Sequence, residues 1–130
     1  MTGFGIINIV AYEFRKLRLH EMDAAMLKQS ISYEISHDED VQGAIGLASL
    51  AHRGQTRPGQ NGNTEPYITH PLRNTLRLIR FGCEDTDVLS ATALHDTVED
   101  QPERLVELMN GDRTAPGSPE SRRTPRTSSW

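Results

Sequence analysis

Residues 93–100 read Ala93-Leu94-His95-Asp96-Thr97-Val98-Glu99-Asp100 and close an apolar run that begins with Val88 and Leu89. That run predicts a helix, and on a helix residues four apart share a face. His95 then aligns with Glu99, and Asp96 with Asp100. Three carboxylates at a helix C-terminus repel one another and oppose the macrodipole, each like-charge pair costing a few tenths of a kcal/mol. A bound cation removes that cost. A solvated acidic helix end is the competing reading. Asp100-Gln101-Pro102-Glu103 fits a capping box with proline in the first turn of a following helix, which accounts for Asp100 but not for the adjacent His95 and Asp96.

Upstream of this stretch the chain reads as a series of short helices. Met22, Ala25, Met26, Ile31 and Ile35 form a loose helical stripe, and His37-Asp38-Glu39-Asp40 is a polar break suited to starting the next helix. Val41, Ala44, Ile45, Ala48 and Ala51 recur at helical spacing, with His52 and Arg53 in the last turn and Gly54 as the stop. His52 there reads as a dipole partner, and His20 and His37 as surface residues. Gly54 to Asn63 reads as loop. Pro71 fits the first position of a helix capped by Thr69 or His70, carrying Leu72, Leu76 and Ile79 inward and Arg73, Arg77 and Arg80 outward. Asp85 or Thr86 caps the helix of the opening stretch, and a last helix from Pro102 ends at Gly111. No convincing strand pair appears, so the expected class is all-α. The expected organisation is an N-terminal segment 1–40, a helical body 41–110 and a disordered Pro/Ser/Arg tail 111–130.

Composition bounds the function. The chain has 130 residues, 35% hydrophobic and 5% aromatic, enough for one small domain with an aliphatic core. Net charge is −4, and four Arg against one Asp and one Glu in the last 20 residues leave −6 on the first 110. An acidic body argues against general nucleic-acid binding. The apolar N-terminus is too short for a membrane span of about 20 residues and makes a poor signal peptide. Cys83 is the only cysteine, which excludes an internal disulfide, a thiolate zinc cluster and a CxxC pair; it reads as structural, and a reducing cytoplasm is compatible.

His70 and His95 each stand beside a helix end, and with Asp96 they form a candidate metal set. Mixed imidazole and carboxylate ligands suit Mn, Fe, Co or Zn better than Ca or Mg. Such a metal activates water and polarises a phosphoryl oxygen, and Glu99, one turn beyond His95, is placed to act on that water. From spacing alone, metal-dependent hydrolysis and a structural acidic cluster stand level.

Three ordered blocks add a resemblance. Ala51-His52-Arg53-Gly54-Gln55-Thr56-Arg57, Glu65-Pro66-Tyr67-Ile68-Thr69-His70-Pro71 and Ala93 to Asp100 resemble the hydrolase half of RelA/SpoT-type alarmone enzymes and the small alarmone hydrolases, within the HD-domain metal-dependent phosphohydrolases. The resemblance covers residues 41–110 and implies an HD-domain helical bundle. It implies His70, His95 and Asp96 as metal ligands, usually of manganese, Glu99 and Asp100 as the acidic pair acting on the attacking water, and Arg57 as the arginine that packs on a guanine base. The implied reaction removes the 3′-diphosphate of guanosine tetra- or pentaphosphate, with a guanine nucleotide as substrate, in the cytoplasm.

This chain departs from the family at two points. Pro58 stands where a lysine is common, and the loop Gly59 to Thr64 is longer. The family also takes a further metal-binding aspartate from a later helix, whereas Asp112 is the only aspartate here after Asp100. The expectation is therefore an HD bundle truncated at its C-terminus. A catalytically inactive fragment that binds a nucleotide or a partner is the alternative reading, and another HD nucleotidase or phosphodiesterase a third.

Overall fold

The computed structural model describes residues 13–36, 38–59 and 62–113. The expected surface position of His37 and most of the expected tail lie outside them. Five helices are labelled here among the described residues: α1 (Ala24–Glu34), α2 (Glu39–Ala51), α3 (Thr69–Arg80), α4 (Thr86–Asp100) and α5 (Pro102–Arg113). A 3₁₀ turn at Leu19–Glu21 precedes α1. The architecture is all-α, with one small ribbon between α2 and α3.

Local chemistry sets most helix ends. The carboxylates of Asp23, Asp38 and Asp85 accept from the backbone N–H groups of Met26, Val41 and Asp87 at 2.9, 3.1 and 3.0 Å. Each satisfies a donor that the first turn leaves orphaned. At the far end of α3, Gly82 takes φ +102°, which a side chain would oppose. Its N–H donates to Ile79 O at 2.9 Å and that of Cys83 to Leu78 O at 3.0 Å. This is a Schellman closure. Leu78 and Cys83 both pack on the core, giving the lone cysteine the structural place expected of it.

The core forms where α2 packs on α4, α4 on α3, and α3 on α1. Val41, Ala48, Leu72, Leu76 and Leu89 are fully buried at its centre. Small residues on α2 let α4 approach closely. Met22, Leu27 and Ile31 belong to the same cluster, so the core continues without a break across residue 40. Within α1, Leu27, Ser30 and Ile31 are buried, whereas Ala25 faces solvent.

Several expectations from the sequence need correction. The segment Gly54 to Asn63 is not wholly irregular, because β1 (Thr56–Pro58) pairs antiparallel with β2 (Thr64–Pro66), with Arg57 opposite Glu65. So short a ribbon is marginal by itself. It is held by Tyr67 N–H donating to Gln55 O at 2.8 Å and by Arg73 on the Glu65 carboxylate at 3.2 and 3.3 Å. α3 begins at Thr69, so Pro71 is its third residue and Ile68, not Thr69 or His70, is the cap. A proline there is harmless, since no first-turn N–H has an intrahelical acceptor.

Arg73 and Arg80 are not outward. Arg80 donates to the carbonyls of Leu17 and Phe14, both at 2.8 Å, and ties the N-terminal segment to α3. Finally, α5 runs through Gly111 to Arg113 rather than stopping at Gly111.

Candidate metal centre

The last turns of α4 carry the acidic stretch, with no basic residue in the final turn to offset the dipole. His95, Asp96 and Glu99 each offer a ligand atom within 4.8 Å of the others. His95 Nε2 lies 3.4 Å from Glu99 Oε2, the i, i+4 pairing read from the sequence. His70 arrives from α3, its Nε2 3.4 Å from Asp96 Oδ2. Asp96 is thus the residue that links the two helices.

Ligand atoms about 2.0–2.2 Å from one metal stand about 3 to 4 Å apart. Both 3.4 Å contacts fall in that range. One imidazole with two carboxylates suits a divalent transition metal, and His70 adjoins this group through Asp96. Partial burial, with the Arg57 guanidinium nearby, lowers the His70 pKa below its usual value against the opposing pull of Asp96. A neutral imidazole is the form that ligates.

Asp100 does not lie over the first turn of α5 as the capping-box reading has it. It is the last residue of α4, and Oδ2 accepts from the Tyr67 hydroxyl at 3.0 Å. Gln101 occupies the junction instead, its carbonyl taking the N–H of Leu105 at 3.0 Å. Arg57 lies against the same tyrosine, its guanidinium carbon 5.9 Å from the ring centroid. The structure therefore gathers His95, Asp96 and Glu99 directly, joins His70 to them through Asp96, and connects Arg57 and Asp100 through Tyr67. The ring of His70 meets Tyr67 edge-on at 6.0 Å.

Sequence reasoning undervalued His52. It is 2% exposed, too buried for a solvated dipole partner. Its Nδ1 bonds Gln55 Oε1 at 2.8 Å, its Nε2 lies 3.2 Å from Thr97 Oγ1, and its ring stacks on Tyr67 at 4.6 Å. Gln55 Oε1 can only accept, so Nδ1 carries the proton and Nε2 accepts from the threonine hydroxyl. The available signal was Thr97, a polar residue on the inner side of an otherwise apolar helix face.

No family model and no solved structure matches the chain. Curated relatives do. The chain is 35% identical over 91 residues to the guanosine-3′,5′-bis(diphosphate) 3′-pyrophosphohydrolase of Aquifex aeolicus, covering 68% of this chain and 12% of that protein. It is 37% identical over 89 residues to human MESH1, named as the same kind of pyrophosphohydrolase, covering 56% of this chain and 48% of the relative. The bifunctional (p)ppGpp synthase/hydrolase RelA of Mycobacterium tuberculosis is 47% identical over 60 residues, which is 46% of this chain and 8% of that one.

The resemblance carried by the three sequence blocks is thus matched by relatives. The chain carries a RelA/SpoT-type hydrolase-like segment. It spans about half the length of MESH1 and a small part of the longer enzymes.

Proposed function

We propose that this chain acts as an HD-type, metal-dependent phosphohydrolase that removes the 3′-diphosphate of a guanosine tetra- or pentaphosphate, in the cytoplasm. In this reading residues 41–110 form the HD portion and 1–40 an N-terminal extension. The observation that carries it is the cross-helix approach of His70 Nε2 to Asp96 Oδ2 at 3.4 Å, beside His95 and Glu99. An imidazole and a carboxylate far apart in sequence meet there, which a merely solvated acidic helix end does not require.

His70, His95 and Asp96 would hold the metal, manganese by family resemblance. When bound, it supplies charge that polarises a phosphoryl oxygen and acidifies water. Glu99 and Asp100 orient the attacking water and take its proton. Arg57, a planar cation beside the Tyr67 ring, packs on the guanine. The relatives' names support this substrate class.

The test is release of pyrophosphate from guanosine tetraphosphate by the purified chain with manganese, across a panel that includes other nucleotides. Release confined to the guanosine tetra- and pentaphosphates supports the reading. Release from a different nucleotide points to another HD nucleotidase or phosphodiesterase, and none from any rejects hydrolysis.

One observation favours a second reading. His95 and Glu99 are 65% and 62% exposed, so the cluster is open on one side. An inactive fragment that binds a nucleotide or partner would look the same there. It predicts no manganese-dependent turnover with either class of substrate.

A further inference from the structure

The acidic end of α4 is tied down by side chains from outside the helix. Thr97, Asp100 and Gln101 stand at i, i+3 and i+4 and share a face. Each is held by a side chain from the segment between α2 and α3. His52 bonds Thr97 at 3.2 Å, Tyr67 bonds Asp100 at 3.0 Å, and Gln55 Oε1 accepts from Gln101 Nε2 at 3.0 Å.

These three holders are themselves joined. Gln55 Oε1 also takes the His52 Nδ1 proton at 2.8 Å, and His52 stacks on Tyr67 with rings 4.6 Å apart and 25° from parallel. The main chain of Tyr67 is fixed at both ends, its N–H on Gln55 O and its carbonyl accepting from His70 N–H at 3.0 Å. Final helical turns fray unless something beyond the helix satisfies them. Asp100 is the exposed last residue of α4, where its rotamer would otherwise be free.

We propose that Tyr67, clamped by His52 and Gln55, is the positioning residue that orients the Asp100 carboxylate toward the water beside the His70–His95–Asp96 cluster. This rests on the hydrolase reading above. Tyr67 touches neither the water nor the phosphate in this role; it acts through Asp100. The segment that delivers the ligand His70 thereby also sets the carboxylate, so ligand and base share one rigid support.

The test is Tyr67→Phe in the full chain, which keeps the ring and its stacking and deletes the hydroxyl. With manganese and guanosine tetraphosphate, kcat should fall about tenfold or more while KM stays within about twofold. Gln55→Ala should lower kcat less, also at constant KM. A rise in KM with the fall in kcat and lost thermal stability would mark a purely structural role and overturn the proposal, as would unchanged kcat in Tyr67→Phe.

A second readout needs no turnover. The Asp100 side-chain carboxyl carbon, labelled with ¹³C and assigned through Asp100→Asn, should move in metal-free Tyr67→Phe. If it coincides with the unsubstituted protein, Tyr67 does not hold Asp100. If the unsubstituted chain releases no pyrophosphate, the hydrolase reading fails. The carboxyl signal then still decides whether the tether exists, and a coincident signal overturns it.

Discussion

His70 Nε2 stands 3.4 Å from Asp96 Oδ2, joining the start of α3 to the end of α4 across twenty-six positions of chain. Around that contact stand His95 and Glu99, which with Asp96 could hold a cation. If they do so, metal must stabilise the folded chain, because a ligand that binds only the native state adds RT ln(1 + [L]/Kd), about 2.7 kcal/mol at one hundred times Kd. Saturating manganese should raise the melting temperature, and a chelator should reverse the rise. An unchanged melt would remove the metal centre.

His95→Ala and Asp96→Ala should each abolish that manganese-dependent rise. Both side chains are at least partly exposed, so neither change should unfold the metal-free chain. Metal content measured after gel filtration checks the assignment, and retention of stoichiometric metal in either variant would reject it.

His52→Ala should be among the more damaging single changes. It empties a buried site, leaves Thr97 Oγ1 and Gln55 Oε1 each short of a partner, and removes the face on which Tyr67 stacks. A loss of about 2–4 kcal/mol follows from the cavity and the lost hydrogen bonds together. Urea unfolding measures it. A loss below about 0.5 kcal/mol, the range of an ordinary surface change, would show that the network carries no weight.

The Tyr67 phenol should titrate late. Burial, the hydrogen bond to Asp100 and the nearby carboxylates push its pKa up to about 12 from a usual 10. A raised folded-state pKa means that the neutral phenol is the form the fold favours. Its contribution is complete below pH 10 and is lost as pH rises from there through about 12. Absorbance titration should show a late phenolate that is absent in Tyr67→Phe and earlier in Asp100→Asn.

Arg80→Ala should release the segment before α1. The guanidinium is bonded to the carbonyls of Phe14 and Leu17, beside the Arg15–Glu34 ion pair and the packing of Phe14 and Leu17 on the core. Hydrogen exchange should accelerate in residues 13–19, with a global loss of about 1–3 kcal/mol for two charge-assisted bonds. Unchanged exchange in that segment would contradict the tether.

By itself the sequence determined whatever depends on neighbours along the chain. Helical spacing predicted the all-α body, the short acidic side chains of Asp38 and Asp85 marked two helix starts, and Gly82 marked the end of α3. The i, i+4 arithmetic paired His95 with Glu99. The three motif blocks named the ligand candidates. Each of these rests on local geometry, with periods of three or four residues and caps that reach no further than the next turn.

Tertiary structure decided the rest. Nothing local says that Arg80 turns inward, because its target carbonyls lie more than sixty residues away. The ribbon of β1 and β2 forms from strands too short to declare themselves. Asp100 looks like a cap until Tyr67 is brought against it, and His52 looks like a helix-dipole partner until α4 closes over it. Polar groups buried by packing must find partners wherever the fold places them. Such partnerships leave no period in the sequence, and here they determine which way the end of α4 faces.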